Sequence, residues 1–143
     1  MKRKLLVLMT CTLMILQLPM VVGHAQPIEE EPVTETIVEE YSYTDAVSSV
    51  LTISGNTAYC SGSVIGKSSV TRIEATLKLQ KKVLWWWSDE KTWPGSVNGN
   101  YLEMHENETL TSSGTYRVRI EARVYSGNNY EDVYCNSTEV SYP

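Results

Sequence analysis

The sequence predicts an all-β domain in which about seven short antiparallel strands form a two-layered sandwich. The clearest observation is residues 115–125, where apolar and polar residues alternate without interruption. Side chains alternate across a strand, so this pattern indicates one buried and one solvated face. Residues 70–80 alternate in the same way, and turn residues separate short strands along the chain, as in β-sandwiches. No helical periodicity follows residue 25, which favours the all-β class.

Residues 1–25 have the three-part form of a secretory signal peptide. A basic start at residues 2–4 precedes an apolar run over residues 5–22, and small residues, Gly23 and Ala25, end it. A membrane anchor is the alternative, but the run contains Pro19 and several polar residues and is barely long enough to span a bilayer. We therefore expect a secreted, extracellular protein with no membrane attachment after cleavage.

Residues 26–45 form an acidic segment that we expect to be disordered, because low hydrophobicity with one sign of charge cannot offset chain entropy. It serves as a spacer, a docking arm or a solubilising leader. The chain carries 12 basic and 17 acidic residues, and cleavage removes three basic ones at residues 2–4. Phosphate contact requires a basic patch, so this charge balance excludes nucleic acid as a partner.

The predicted β-sandwich domain spans residues 46–143. Its predicted strands are residues 47–53, 57–65, 70–80, 83–87, 100–106, 115–125 and 130–142. The strand over residues 70–80 is the expected central partner of residues 115–125. Residues 83–87 are expected at a sheet edge, with a turn at 88–91, a break at Trp93 and Pro94, and a flexible stretch at 96–99.

Two cysteines remain after signal cleavage, Cys60 and Cys135. An even count in an exported chain favours a disulfide, and two thiols are the alternative. In the chain-entropy model a bridge closing a loop of this size contributes at most about 4.5 kcal/mol.

The residues before the long strand resemble the tyrosine corner of immunoglobulin-like domains, in which a tyrosine hydroxyl ties back to the preceding turn. Here Tyr116 follows Ser113, Gly114 and Thr115 at the head of the strand. The chain departs from antibody domains because Val118 occupies the position of their second cysteine and the third strand lacks tryptophan. The resemblance therefore implies an immunoglobulin-like Greek-key sandwich and not membership of the antibody superfamily.

A second resemblance is to an uncharacterised family of small secreted proteins in Gram-positive bacteria, and it covers residues 46–143. It is carried by the signal peptide, Trp93 and four short motifs: TAYCSG at 57–62, TLKLQKK at 76–82, GTYRV at 114–118 and VYSG at 124–127. The resemblance implies a fold and no activity, because the family has no established one.

The residue inventory argues against an enzyme. His105 is the one histidine after the signal peptide, and a serine or cysteine nucleophile would need it as base. It lies among Glu103 and Glu106, and a histidine with one carboxylate does not make a metal site. Calcium pairs at residues 89–90 or 131–132 lack regular ligand spacing. We expect no cofactor and no metal.

The aromatic residues are the most suggestive feature for binding. The chain has 4 Trp and 9 Tyr and no Phe, so every aromatic carries a polar edge suited to interfaces. Three consecutive tryptophans, Trp85, Trp86 and Trp87, cannot all point inward on a strand, and Trp93 follows close by. Exposed rings of this kind stack on sugars or anchor protein partners. The alternative is that they fill the end of the core and pack under the loop at Trp93.

Arg117, Arg119 and Arg123 fall on the solvated side of the long strand, where we call them the arginine row. The row either binds an acidic glycan or wall polymer, or pairs with neighbouring carboxylates as an ordinary solvated face. The function expected from these features is a secreted, non-catalytic module that binds an extracellular glycan or protein. The alternative is a secreted antagonist, a bacteriocin-like toxin or protease inhibitor, acting through the same aromatics or a loop at residues 95–99.

Overall fold

The computed structural model describes residues 40–143, and β-strands make up 75% of them. The strands are β1 (Thr44–Ser54), β2 (Thr57–Gly66), β3 (Arg72–Val83), β4 (Trp86–Val97), β5 (Tyr101–Thr109), β6 (Gly114–Ser126), β7 (Asn129–Asn136) and β8 (Val140–Tyr142). The predicted all-β class is confirmed. Within residues 40–143 no helix is long and apolar enough to cross a membrane. The predicted signal peptide and residues 26–39 of the predicted acidic segment lie outside the described residues.

The strands form two antiparallel sheets. The three-stranded sheet has the order β1-β2-β5, and the five-stranded sheet has the order β4-β3-β6-β7, with β8 paired to the start of β6. The chain passes from one sheet to the other after β2, after β4 and after β5. β3 and β6 are direct neighbours, from the pair of Arg72 with Tyr125 to that of Lys81 with Tyr116. The predicted pairing of these two strands is therefore confirmed.

The core lies between the two sheets and consists of the apolar sides of the alternating strands. β3 contributes Ile73, Ala75, Leu77 and Leu79, and β6 contributes Tyr116, Val118, Ile120, Ala122 and Val124, all buried as predicted. The facing sheet contributes Val47, Leu51, Ala58, Cys60, Val64, Leu102 and Met104. Gly62 lies opposite Leu77 and Ile120, where a Cβ would stand 2.8 Å from a methyl of each. The glycine thus sets how closely the sheets approach.

Two serine hydroxyls form hydrogen bonds with backbone groups inside this core. The hydroxyl of Ser49, on β1, donates across the sandwich to the carbonyl oxygen of Cys135 at 3.2 Å. Ser137 follows the end of β7, and its hydroxyl accepts the backbone N–H of Val118 at 2.8 Å. The Ser137 N–H also donates to the Val118 carbonyl at 2.8 Å. A side chain thus continues the ladder where β7 ends, which divides the predicted strand over 130–142 into β7 and β8.

The predicted Cys60–Cys135 disulfide is not found in the structure. Cys60 lies on β2 and Cys135 on β7, each buried in the core and each in a different sheet. As thiols they pack as small apolar side chains, a role in which cysteine is common in protein interiors. Burial, followed by the charges of Glu108 and Glu106, raises the pKa of the Cys60 thiol to about 12. As a thiol, Cys60 is therefore protonated in the folded chain.

The tyrosine tie is confirmed. Tyr116 is buried, and its hydroxyl donates to the carbonyl oxygen of Ser112 at 2.7 Å. This bond anchors the turn between β5 and β6.

The largest difference from the sequence prediction is β4. The predicted turn at 88–91 and break at Trp93 and Pro94 are wrong, because β4 runs from Trp86 to Val97 and pairs with β3, with one register shift at Glu90. The predicted strand over 83–87 is also wrong, since residues 84–85 form the turn between β3 and β4. Pro94 is tolerated since β4 is the edge of its sheet, where one side of the backbone needs no partner. β1 also begins at Thr44, two residues before the predicted domain.

Candidate binding surface

The β3–β4 hairpin ends in a turn made of two large apolar residues. Val83 and Trp86 form its last strand pair, which leaves Leu84 and Trp85 as the two-residue loop. Such loops favour positive φ and therefore Gly, Asn or Asp. Leu84 has a φ of 56°, and it is the one non-glycine residue with positive φ in the described part of the chain. The left-handed conformation costs a residue with a Cβ about 1–2 kcal/mol.

Leu84, Trp85 and Trp86 form what we call the hairpin tip, and they are exposed. Leu84 is 76%, Trp85 81% and Trp86 46% accessible to solvent. The rings of Trp85 and Trp86 meet edge to face, with centroids 5.2 Å apart and planes at 85°. The tip is therefore a convex apolar knob rather than a flat aromatic platform.

The other two tryptophans do not join the tip. Trp87 lies half-buried on the outer face of the five-stranded sheet, with the Arg117 guanidinium 4.1 Å above its ring centre. Trp93 pairs with Leu77 and packs against the core. The structure thus separates the four predicted binding tryptophans into an exposed tip, a stacked ring and a core residue.

The arginine row lies along the outer face of the same sheet, and each member has partners. Arg117 donates to the side chain of Gln80 at 2.9 Å. Arg119 donates to Glu121 at 2.7 Å and stacks over Tyr134 at 4.3 Å. Arg123 binds Asp132 through two nitrogens, at 2.7 and 3.1 Å, and stacks over Tyr130. Carboxylates and aromatic rings therefore already occupy the guanidinium groups.

These contacts also shift the pKa values on this face. Burial, and then the charge of Arg119, lowers the pKa of Arg117 below its usual range. The hydrogen bond from Arg123 lowers the pKa of Asp132. Burial works against ionisation of Glu121, but hydrogen bonds from Lys78 and Arg119 outweigh it and lower its pKa. Apart from Arg117, whose partner is the neutral Gln80, the charged groups described here form a network of ion pairs.

A shallow groove of about 830 Å³ lies over this network. It is lined mainly by Glu74, Thr76, Pro94, Arg119, Arg123 and Tyr134. The groove follows from the register, which brings Glu74 opposite both Ser96 and Arg123, and Thr76 opposite both Pro94 and Glu121. Charged side chains along the groove bind one another, as Arg119 binds Glu121 and Arg123 binds Asp132.

His105 lies on the outer face of the other sheet, in a chain of four side chains. The Ser61 hydroxyl is 3.1 Å from its Nδ1, Glu103 is 3.0 Å from its Nε2, and Tyr101 donates to Glu103 at 2.9 Å. The hydrogen bonds from Tyr101 and then His105 lower the pKa of Glu103. Sequence reasoning missed Ser61 and Tyr101, because only the β2–β5 register brings Ser61 opposite His105.

The backbone around Ser61 is occupied by strand pairing. Ser61 lies on β2, the middle strand, whose backbone amides are engaged in ladders with β1 and β5. A hydrolase needs N–H groups directed at the developing oxyanion, and those of β2 are engaged in the two ladders. Among residues 40–143 no cluster of three or more His, Cys, Asp or Glu could hold a metal ion.

Comparisons with protein-family models, curated proteins and solved structures gave no match to this chain. The geometry therefore carries the functional argument.

Proposed function

We propose that the protein is an exported, non-catalytic binding module whose contact surface is the hairpin tip. The observation that carries this proposal is the exposure of Leu84 and Trp85 at a turn that disfavours leucine. Burying such a side chain is worth about 1.5–3 kcal/mol. The chain leaves that gain unrealised and adds backbone strain, and conformational strain of this kind concentrates at functional sites.

The arrangement of the other candidate residues supports the same surface. Arg119 and Arg123 of the arginine row are paired with Glu121 and Asp132, and Trp93 packs against the core. None of these residues offers an unsatisfied contact to a partner. The alternative, a secreted antagonist, has less support, because residues 95–97 belong to β4 and do not form the separate loop that it would use.

The finer fold is part of this proposal: an immunoglobulin-like Greek-key sandwich closed by a disulfide once exported. Three chain crossings between the sheets and the Tyr116 tie support the Greek-key assignment. The inward positions of Cys60 and Cys135 on facing sheets support a bridge in an oxidising compartment. Alkylation of the denatured protein tests the bridge.

Tryptophan fluorescence tests the contact surface. We expect titration with one class among cell-wall polymers, mucin glycans, proteins and lipid vesicles to give a saturable blue shift. Trp85→Ala should abolish both shift and binding. The matched control is Tyr59→Ala, because Tyr59 is 50% exposed but lies on β2, in the other sheet. If no class gives a shift that depends on Trp85, the proposal fails.

A further inference from the structure

We infer that the hairpin tip inserts into the surface of a lipid bilayer carrying anionic headgroups. This inference rests on the proposed function, which makes the tip the contact surface, and it names the partner. It departs from the expectation that the protein has no membrane attachment after signal cleavage.

The hairpin changes in polarity step by step from its apex. Leu84 and Trp85 at the apex are followed by the pairs Val83–Trp86, Lys82–Trp87 and Lys81–Ser88. The first two levels are apolar, the third combines an indole ring with ammonium and guanidinium groups, and the fourth is polar. A bilayer interface has the same sequence of layers, from acyl chains through an aromatic belt to charged headgroups.

The dimensions of this gradient match the interface. A strand rises about 3.3 Å per residue, so the Lys82–Trp87 pair lies about 7 Å behind the apex and the Lys81–Ser88 pair about 10 Å behind it. Apolar segments that lie in the interface are buried to about 5–10 Å. The apolar part of the hairpin is therefore as deep as the layer that it would enter.

Three basic side chains, Lys81, Lys82 and Arg117, lie behind the tip, with Glu139 beside Lys82. Lys81 donates to the hydroxyl of Ser112 rather than to a carboxylate. Lys82 pairs with Glu139 at 3.3 Å, and both side chains are more than 40% exposed. An exposed pair of this kind is weak and exchanges readily for a lipid phosphate. With Arg117, these lysines form a cationic collar that complements anionic headgroups.

Two acidic groups lie close to this collar, Glu139 beside Lys82 and Asp89 on the Gln80 side chain, and the acidic residues farther away do not cancel it. At physiological ionic strength, charges more than about 8 Å apart across solvent are largely screened from each other. The relevant charge is therefore the one at the hairpin, not the net negative charge of the whole chain.

A sugar partner fits the tip less well than lipid. Carbohydrate rings stack on flat aromatic faces, but Trp85 and Trp86 stand at 85° to each other. The neighbouring Leu84 offers no ring and no hydrogen-bonding group, yet it is 76% exposed. An aliphatic side chain at the apex gains most from an apolar medium.

The test is binding to vesicles of phosphatidylcholine alone and of phosphatidylcholine with phosphatidylglycerol at three to one. We expect co-sedimentation with the anionic vesicles, a tryptophan blue shift, and quenching by lipids brominated on the acyl chain. Trp85→Ala and Leu84→Asn should each lower vesicle affinity at least about tenfold. The double variant Lys81→Gln, Lys82→Gln should remove the preference for anionic over neutral vesicles.

Leu84→Asn separates function from folding. Asparagine tolerates the left-handed conformation better than leucine, so this variant should unfold at a higher temperature while binding vesicles less well. Tyr59→Ala should change neither vesicle binding nor quenching.

Two results would overturn the inference. One is the absence of acyl-chain quenching, and the other is vesicle binding that tip variants leave unchanged. If Trp85→Ala instead abolishes binding to a glycan, wall polymer or protein while vesicles bind nothing, the proposed function stands and the lipid inference fails.

Discussion

Replacing Gly62 by alanine tests whether this residue sets the spacing of the two sheets. A Cβ there would lie 2.8 Å from Cδ1 of both Ile120 and Leu77. Both are the ends of side chains, but each residue is 0% exposed and has no room to move aside. Overpacking of this kind costs about 1–3 kcal/mol. Alanine recovers about 0.5–1 kcal/mol of the flexibility cost of glycine in a strand.

The expected net effect of Gly62→Ala is a loss of about 0.5–2 kcal/mol in the free energy of unfolding. Urea unfolding followed by tryptophan fluorescence should show a lower midpoint with an unchanged slope. Adding Ile120→Val removes one of the two close methyl groups, so alanine should cost less in that background than in the wild-type chain. Gly99→Ala is the control, because the nearest atom, on Val97, lies 3.9 Å from the added Cβ.

An unchanged or higher urea midpoint for Gly62→Ala would refute the idea that side-chain contacts at Gly62 limit how closely the two sheets approach. Equal costs of alanine with isoleucine and with valine at residue 120 would show that Ile120 is not the obstacle.

The remaining predictions concern titration and the cysteines. Because the pKa of Glu121 is lowered in the folded state, the unfolded state takes up a proton at this residue more readily. The contribution of Glu121 to the free energy of unfolding is therefore present above the unfolded pKa of about 4.3 and is lost as the pH falls through the folded pKa. Glu121 is 40% exposed, so we expect under about 1 kcal/mol, and thermal unfolding of Glu121→Gln should depend less on pH below about 4. If the unfolding temperatures of the wild-type protein and Glu121→Gln fall in parallel on acidification, this prediction is contradicted. For the cysteines, we expect the exported protein in denaturant to take up no alkyl group before reduction and two after it, by intact mass. Two groups before reduction would leave Cys60 and Cys135 as thiols and refute the bridge.

The sequence was most informative where a strand has one buried and one solvated face. β2, β3 and β6 face the core on one side, so their alternation identified both the strands and their inward residues. β4 is an edge strand with few buried residues, and its weak alternation and Pro94 concealed a continuous strand. The division between β7 and β8 was also hidden, because it depends on the Ser137 side chain bonding to Val118.

The candidate site was only partly predictable. The sequence identified the tryptophan run, because three consecutive rings cannot share one face. It did not locate the turn, since Leu84 and Trp85 are not turn residues, and only the Val83–Trp86 pair shows where the hairpin ends. The sequence did not decide whether the arginine row pairs with neighbouring carboxylates, because Asp132 reaches Arg123 only through the β6–β7 register.

The hydroxyl of Ser49 has a consequence for how the two layers are aligned. An interface of valine, leucine and isoleucine side chains tolerates small sliding, because apolar contacts are non-directional. A hydrogen bond from one sheet to a backbone carbonyl of the other is directional, and losing it leaves a buried donor unsatisfied at about 1–3 kcal/mol. The 3.2 Å hydrogen bond from Ser49 to Cys135 therefore opposes sliding of one sheet over the other. We therefore expect a force applied at the β3–β4 hairpin to be shared by both sheets instead of sliding one sheet over the other.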